Sequence, residues 1–301
     1  DIYTDLYEPG TRPSTWERCQ GFHFAEDVIK KADGSKQVGW CPIPNAKTGK
    51  KDPSYVACWS CGLRVLRERV PKVLAKKPLN AYFLDCVTSA RLYECYDPRH
   101  PLTRTTDREA RIAQFDYLSS ELKLVVGSET GRDWAVPVAD YFEGIMSTAS
   151  FFATPKAIHE IPFVSIESNP RYEEYAINPK RRVPLFQLVY GDCAEITWRW
   201  GDNTHRMPKL WAMKDLQHII HASMPMFVLW DAHQDLFLAN TERFKETYDN
   251  VCRWRRAVGY HEMTNHERLS EDAMVQRSSF ANGAAVTVNF APGERIVNGI
   301  K

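Results

Sequence analysis

The sequence lacks a long apolar run and an excess of charge of one sign. No stretch of its 301 residues approaches the roughly 18 apolar residues of a membrane span, so no membrane segment is expected. The 39 basic residues nearly balance the 38 acidic ones, and no long basic stripe is present. Nucleic acid is therefore not an expected partner.

Several catalytic motifs are also absent. The chain has no His-x-His or His-Glu-x-x-His pair, which argues against a metallohydrolase, and neither a Gly-rich phosphate loop nor a Gly-x-Ser-x-Gly elbow. His100 lies in a segment rich in Pro and charged residues, so we expect a loop histidine satisfied by hydrogen bonds rather than a metal ligand.

The eight cysteines are scattered, and a chain of this size needs no disulfide bonds to be stable. Cys58 and Cys61 form the only close pair. With Cys19 and Cys41 they are compatible with a four-thiolate zinc site, although the spacing is irregular and a second close pair is missing. Small buried thiols explain the pair equally well.

Two short apolar runs that each end in a carboxylate are the most informative feature present. Residues 81–84 lead into Asp85, and residues 124–128 lead into Glu129, with a helix-like stretch between them. Short apolar runs that alternate with helices are typical of parallel strands. The predicted strands are 2–7, 37–42, 81–85, 123–129, 141–146, 186–192 and 226–230.

The spacing of apolar residues predicts helices over 63–74, 105–121, 211–222 and 240–256. Alternating strands and helices predict an α/β fold, a (β/α)8 TIM-type barrel over 1–261 that is truncated at its N-terminus. Two β-like runs flank Asn282-Gly283, a hairpin signal, so we expect residues 262–301 to begin a C-terminal β-sandwich domain.

In such a barrel, Asp85 and Glu129 lie side by side at the face that carries the active site. Two neighbouring carboxylates suit glycoside hydrolysis, in which one acts as nucleophile or base and the other as acid. The simpler interpretations are a solvated or helix-capping Asp85 and an ion pair between Glu129 and Arg132. Polar groups at further strand ends, Asp5 and Asp192, provide acceptors for sugar hydroxyls.

Five stretches together resemble bacterial glycoside hydrolases of the GH101 and GH129 α-N-acetylgalactosaminidase families. They begin with 82–85 and with 94–97 followed by 100–104. They continue with 126–129 followed by 133–137, with 140–144, and with 184–186 through Asp192 to 198–202. The resemblance extends over nearly the whole chain.

The resemblance implies a retaining hydrolase acting on an α-linked galacto-configured sugar, α-GalNAc or α-galactose. Asp85 is then the nucleophile and Glu129 the acid/base. The expected partner is a glycan or glycoconjugate, and the reaction requires no cofactor or metal. The residues expected to line the sugar site are Tyr3, Asp5, Arg91, Trp134, Asp192, Trp198 and Asp202.

Three alternatives remain open at this point: an inverting glycosidase on the same fold, a non-catalytic carbohydrate-binding or pseudo-enzyme barrel, and a thiolate-zinc protein. The chain begins with strand-like residues and has neither an initiator Met nor a leader. We therefore expect a fragment of a longer protein, and the N-terminus gives no compartment.

Overall fold

The structure, a computed structural model, divides into two compact units, residues 1–140 and 141–301. None of its described helices is long and apolar enough to cross a membrane. The structure describes residues 5–8, 21–40, 42–45, 48–147, 168–228 and 234–297.

The first unit begins with short antiparallel pairs. Strand β1 (Asp5–Leu6) pairs with β4 (Tyr55–Val56), and β2 (Ile43–Pro44) pairs with β3 (Lys51–Asp52). Helix α1 (Phe24–Asp27) lies between β1 and β2.

The strand predicted over 2–7 is present in its described part. The strand predicted over 37–42 is wrong in the residues described there: Val38 makes only an isolated bridge to Tyr55. The segment crosses over Asp5 at Gly39, where a Cβ would lie 2.0 Å from the Asp5 carboxylate, so this close approach needs glycine.

A β–α–β unit follows helix α2 (Gly62–Leu74). Strand β5 (Ala81–Leu84) leads through a long loop to α3 (Arg104–Asp116), which continues as a π-helical turn to Glu121 and then into β6 (Val125–Glu129). Strands β5 and β6 are parallel, with Leu84 opposite Ser128. The predictions for α2, α3, β5 and β6 are confirmed.

The second unit opens with β7 (Tyr141–Glu143), which runs parallel to β8 (Glu195–Ile196). Between them lie the short α4 (Pro170–Tyr172) and α5 (Leu185–Tyr190). The strand predicted over 186–192 is therefore wrong. Leu185 and Val189, four residues apart, are both exposed while Gln187 is buried, so the segment follows helical rather than strand periodicity.

The next helices are α6 (Trp211–His221) and α7 (Gln234–Ala239), followed by α8 (Thr241–Thr247) and α9 (Arg253–Val258), which a π-helical turn joins. The helices predicted over 211–222 and 240–256 are confirmed. The strand predicted over 226–230 is wrong in its described residues 226–228. Phe227 instead packs on Trp211 and Phe244.

The chain ends in an antiparallel sheet in which β10 (Val275–Phe280) lies between β9 (Met263–Arg268) and β11 (Ala285–Asn289). The predicted hairpin is confirmed, and Gly283 has φ 83°, which its turn requires. Ile220 of α6 packs against Val288 and Phe290. The observed fold is thus α/β with parallel strand pairs and a C-terminal antiparallel sheet; a closed barrel is not established.

Candidate active site

The ends of β5 and β6 hold the two predicted carboxylates. Asp85 directly follows β5 and Glu129 is the last residue of β6. Because the strands are parallel and Leu84 is opposite Ser128, both carboxylates project from the same edge. A carboxylate oxygen of Asp85, one of Glu129 and the Cys86 sulfur all lie within 4.8 Å of one another. The structure therefore brings the predicted pair together.

The backbone turns sharply immediately after each carboxylate. Cys86 has φ 63° and Thr130 has φ 51°, both in the left-handed region that residues other than glycine rarely adopt. Such conformations cost on the order of 1 kcal/mol or more and cluster at functional sites. Burial, reinforced by Asp85 and then by Glu129, raises the pKa of the Cys86 thiol, so the residue between the carboxylates is a neutral thiol.

The loop after β5 fixes the position of Glu129. Ser89 Oγ donates a hydrogen bond of 2.8 Å to Glu129 Oε2, and Thr88 Oγ1 donates one of 2.6 Å to the backbone oxygen of Glu129. Arg132 Nε donates in turn to the Thr88 backbone oxygen at 3.0 Å. Glu129 is only 9 % exposed, so these bonds hold its carboxyl group in one orientation.

An open pocket of about 810 Å³ lies on the same loop, which continues through Ala90 and Arg91. Its lining includes the predicted Arg91 and Trp134, together with Tyr93 and Arg132. The Arg91 guanidinium carbon stands 5.0 Å from the centre of the Tyr93 ring. Aromatic faces beside fixed cations are suited to the apolar face and the hydroxyl groups of a sugar.

Asp5 is fully buried on β1 and accepts a hydrogen bond of 3.2 Å from the Trp40 backbone N–H. Burial is the main cause of the raised pKa values of Cys86 and Tyr93, and the charge of Asp5 adds to both. Asp5 is thus electrostatically coupled to the carboxylate edge and to the pocket. Tyr3, its predicted neighbour in the sugar site, lies outside the described residues.

The remaining predicted residues lie in the second unit. Trp198 is fully buried, and Lys214 Nζ stands 3.8 Å from its ring centre. Asp202 accepts hydrogen bonds from Ser147 Oγ at 2.6 Å and Tyr172 OH at 2.8 Å. These side chains form an internal cation–aromatic cluster in their unit.

Asp192 is exposed and follows helix α5 rather than the end of a strand. Its place at a strand end, the reason for singling it out, is therefore wrong.

Sequence reasoning assigned no role to Ser89 and Tyr93, and it considered Arg132 only as an ion-pair partner of Glu129. Ser89 lies in the short polar segment that follows Asp85, but its bond to Glu129 depends on the path of the loop after β5. The partners of Tyr93 and Arg132 depend on how the loop after β5 folds back, which no local pattern encodes.

A second group of potential metal ligands lies in the first unit. Donor atoms of Cys58, Cys95 and His100 are all within 4.8 Å of one another. The cysteines 19 and 41 that the sequence suggested as partners of Cys58 lie outside the described residues.

Comparison with solved structures relates the fold to a known enzyme. The ligand-free α-N-acetylgalactosaminidase NagBb from Bifidobacterium bifidum is 25% identical, with a TM-score of 0.64 over 96% of this chain and 40% of that chain. Its GalNAc complex is 23% identical, with a TM-score of 0.65 over 100% of this chain and 42% of that one. This chain therefore spans about two fifths of the length of those chains.

Comparison with curated proteins gave no match. The profile described as glycosyl hydrolases related to the GH101 family, GH129, matches residues 1–161 and 149–279, which together make up most of the chain. The chain therefore belongs to the GH129 family of glycosyl hydrolases, which is related to GH101.

Proposed function

We propose that this chain carries the catalytic residues of a retaining α-N-acetylgalactosaminidase. The observation that supports this most strongly is the approach of Asp85 and Glu129 oxygens to within 4.8 Å at the ends of neighbouring parallel strands. This approach is compatible with the separation of about 5–5.5 Å between the two carboxyl groups of retaining glycosidases. The α-GalNAc specificity is inferred from the structural similarity to NagBb.

In the proposed reaction an Asp85 oxygen attacks the anomeric carbon while Glu129 donates its proton to the leaving glycosidic oxygen. The aglycone departs as an alcohol, and the sugar remains as an ester of Asp85. Glu129, now ionised, takes a proton from water, whose oxygen attacks the same carbon and releases Asp85. Two inversions return the α-anomer.

Arg91 and Trp134 are proposed to contact the substrate beyond the sugar ring held at the carboxylates, because they line the pocket on the loop after β5, which Asp85 and Glu129 do not line. For Asp5, which is fully buried on β1, a role in sugar binding stays a prediction. For Tyr3, Asp192, Trp198 and Asp202 a role in sugar binding stays a prediction.

We also propose that strands β5 to β8 belong to a (β/α)8 barrel over residues 1–261, and that 262–301 begin a β-sandwich. In support, both strand pairs are parallel, and the antiparallel sheet begins at Met263.

The test is hydrolysis of aryl α-GalNAc and α-galactoside by the chain and by the longest polypeptide that contains it. Asp85→Asn is expected to lower kcat/KM by about 10²–10⁴-fold on every substrate, and Glu129→Gln to lower it by this factor on glycosides whose leaving group needs a proton. Glu109→Gln, an exposed carboxylate on α3, is the matched control and should leave activity unchanged.

The leaving group separates the two roles. Glu129→Gln should impair a serine-linked α-GalNAc far more than a nitrophenyl one, which leaves without protonation, while Asp85→Asn should impair both equally. NMR of the first sugar released should show the α-anomer. Release of the β-anomer would indicate the inverting alternative, and sugar binding by a folded protein without turnover would indicate the binding module.

A further inference from the structure

The geometry points to a structural zinc site formed by Cys58, Cys95 and His100, with Cys61 as the fourth ligand. Nothing in the proposed hydrolysis uses these residues. Cys58 directly precedes the turn that leads into α2. Cys95 and His100 lie in the loop after β5, which folds back on itself through an isolated β-bridge between Cys95 and Leu102. The donors therefore come from two chain segments that the fold brings together.

The distances fit a tetrahedral ion. Cys95 Sγ lies 3.3 Å from His100 Nδ1, and both lie within 4.8 Å of Cys58 Sγ. Zinc bonds of about 2.3 Å to sulfur and about 2.0–2.1 Å to nitrogen place neighbouring donors roughly 3.5–3.8 Å apart. The donor atoms of Cys58, Cys95 and His100 would therefore need to move by an ångström or less to bind one ion.

The histidine is already oriented as a metal ligand. Its Nε2 stands 2.6 Å from the Glu26 backbone oxygen. A carbonyl oxygen only accepts, so Nε2 carries a proton, and in the neutral imidazole that a metal requires the lone pair of Nδ1 faces Cys95 Sγ. A metal-bound histidine commonly donates its second ring N–H to a backbone carbonyl in this way.

Positive charge lies beside the group. Lys30 and Arg99 both bind Asp97 at 2.8 and 2.7 Å, placing positive charge beside the group. Three thiolates and one neutral imidazole around Zn²⁺ carry a net charge of −1, which these cations offset.

Cys61 completes the set. It follows Cys58 by three residues, the Cys-x-x-Cys spacing that structural zinc sites use. Its sulfur is not part of the group of three donor atoms that lie within 4.8 Å of one another. Cys61 is half-exposed, so its side chain has room to turn towards the ion.

Such an ion would hold the loop after β5 to the start of α2. That loop also carries Ser89, Arg91 and Tyr93, which contact Glu129 or line the pocket. The site is therefore expected to stabilise the fold and to keep the pocket wall in place without taking part in the chemistry.

The test is zinc analysis of the full chain produced in zinc-supplemented medium and purified without metal-affinity resin. We expect one zinc per chain. Cys95→Ser and His100→Ala should abolish stoichiometric zinc, whereas Cys193→Ser, an exposed cysteine outside the group, should retain it. Zinc that survives both substitutions would overturn the assignment, as would a Cys58–Cys61 or Cys58–Cys95 disulfide found by mass spectrometry.

If the variants fail to fold, cobalt titration of the chelator-treated wild-type protein tests the site without any substitution. Binding of Co²⁺ should produce an intense thiolate-to-cobalt charge-transfer band and tetrahedral ligand-field bands, and should raise Tm in proportion to the logarithm of free metal. A folded protein that shows no such bands and holds no zinc would refute the site. Either result leaves the test of Asp85 and Glu129 unaffected.

Discussion

At the level of single residues, the main feature of this site is the burial and hydrogen bonding of Glu129. Its carboxyl group is almost fully buried and receives a hydrogen bond from Ser89. The proposed role requires Glu129 to reach the glycosidic oxygen first as an acid and then water as a base. A fixed orientation serves both steps, because small displacements of a catalytic group lower rates strongly.

Ser89→Ala is therefore expected to lower kcat about 10- to 150-fold with little change in KM, the loss expected for one hydrogen bond to a charged group, about 1.5–3 kcal/mol. Ser89→Thr, which keeps the hydroxyl, should restore most of the rate. Steady-state kinetics on aryl α-GalNAc provide the measurement. Ser119→Ala, which removes a hydroxyl bonded to the Phe115 backbone oxygen on α3, is the control. Equal kcat in Ser89→Ala and the wild type would show that Ser89 does not position Glu129.

At the level of elements, helix α3 holds the loop after β5 through the buried side chain of Arg111. Arg111 Nη1 donates to the backbone oxygens of Val87 and Ala90 at 2.8 and 2.9 Å, and Nη2 donates to that of Arg91 at 2.6 Å. The same nitrogen bonds Asp107 at 2.6 Å. One buried guanidinium thus satisfies three carbonyl groups of the loop that forms the pocket wall.

Arg111→Lys should lower the free energy of unfolding by about 2–3 kcal/mol, because a single ammonium group cannot reach all of these acceptors and leaves buried carbonyls unpaired. Urea denaturation measures this change. Arg108→Lys, an exposed substitution on the same helix, should have almost no effect. If both variants are equally stable, the loop is held by other contacts. KM for the aryl glycoside should also rise in Arg111→Lys, since Arg91 and Tyr93 lose their support.

The sequence predicted the elements whose periodicity is unambiguous and misread the short ones. Helices α2, α3 and α6 extend over several turns, and β5 and β6 end in the carboxylates that identified them. Segment 185–190 is six residues long, and an apolar run of that length is compatible with a buried strand or a helix. The tertiary environment, which buries Gln187, decides between them.

The residues of the candidate site were also predictable only in part. Asp85 and Glu129 were predictable because each directly ends a strand, so that neighbouring parallel strands bring them together. The thiolate group was only half predictable: Cys58 and Cys61 are three residues apart in sequence, but Cys95 and His100 reach them only through a long loop. The buried position of Trp198 depends on Lys214 and Arg182, whose cationic groups lie over the Trp198 ring and come from distant segments.

At the level of the whole molecule, the second unit contains an unusual set of buried ionisable groups that governs how stability depends on pH. Burial lowers the pKa of His205 and of His218 to about 3, and that of Lys214 to about 7. Burial raises the pKa of Asp215 to about 6. Between about pH 3 and 6.5 the unfolded chain binds more protons at His205 and His218 than the folded chain does, so their contribution to the free energy of unfolding rises with pH. Asp215 has the opposite effect, because between pH 3.8 and about 6 it binds more protons in the folded chain.

Lys214 extends the same trend to alkaline pH, and its substitution provides the test. In the unfolded chain its ammonium group keeps the ordinary pKa of 10.5, while burial lowers the pKa in the folded state to about 7. Between these values the unfolded chain binds the extra proton, so the free energy of unfolding should rise with pH by up to about 1.4 kcal/mol per pH unit. Lys214→Met should remove this slope, and exposed Lys209→Met should keep it, in urea titrations across the window. Parallel curves for the wild type and Lys214→Met would mean that Lys214 remains protonated in the folded protein, held by the Trp198 ring and the Asp202 backbone oxygen.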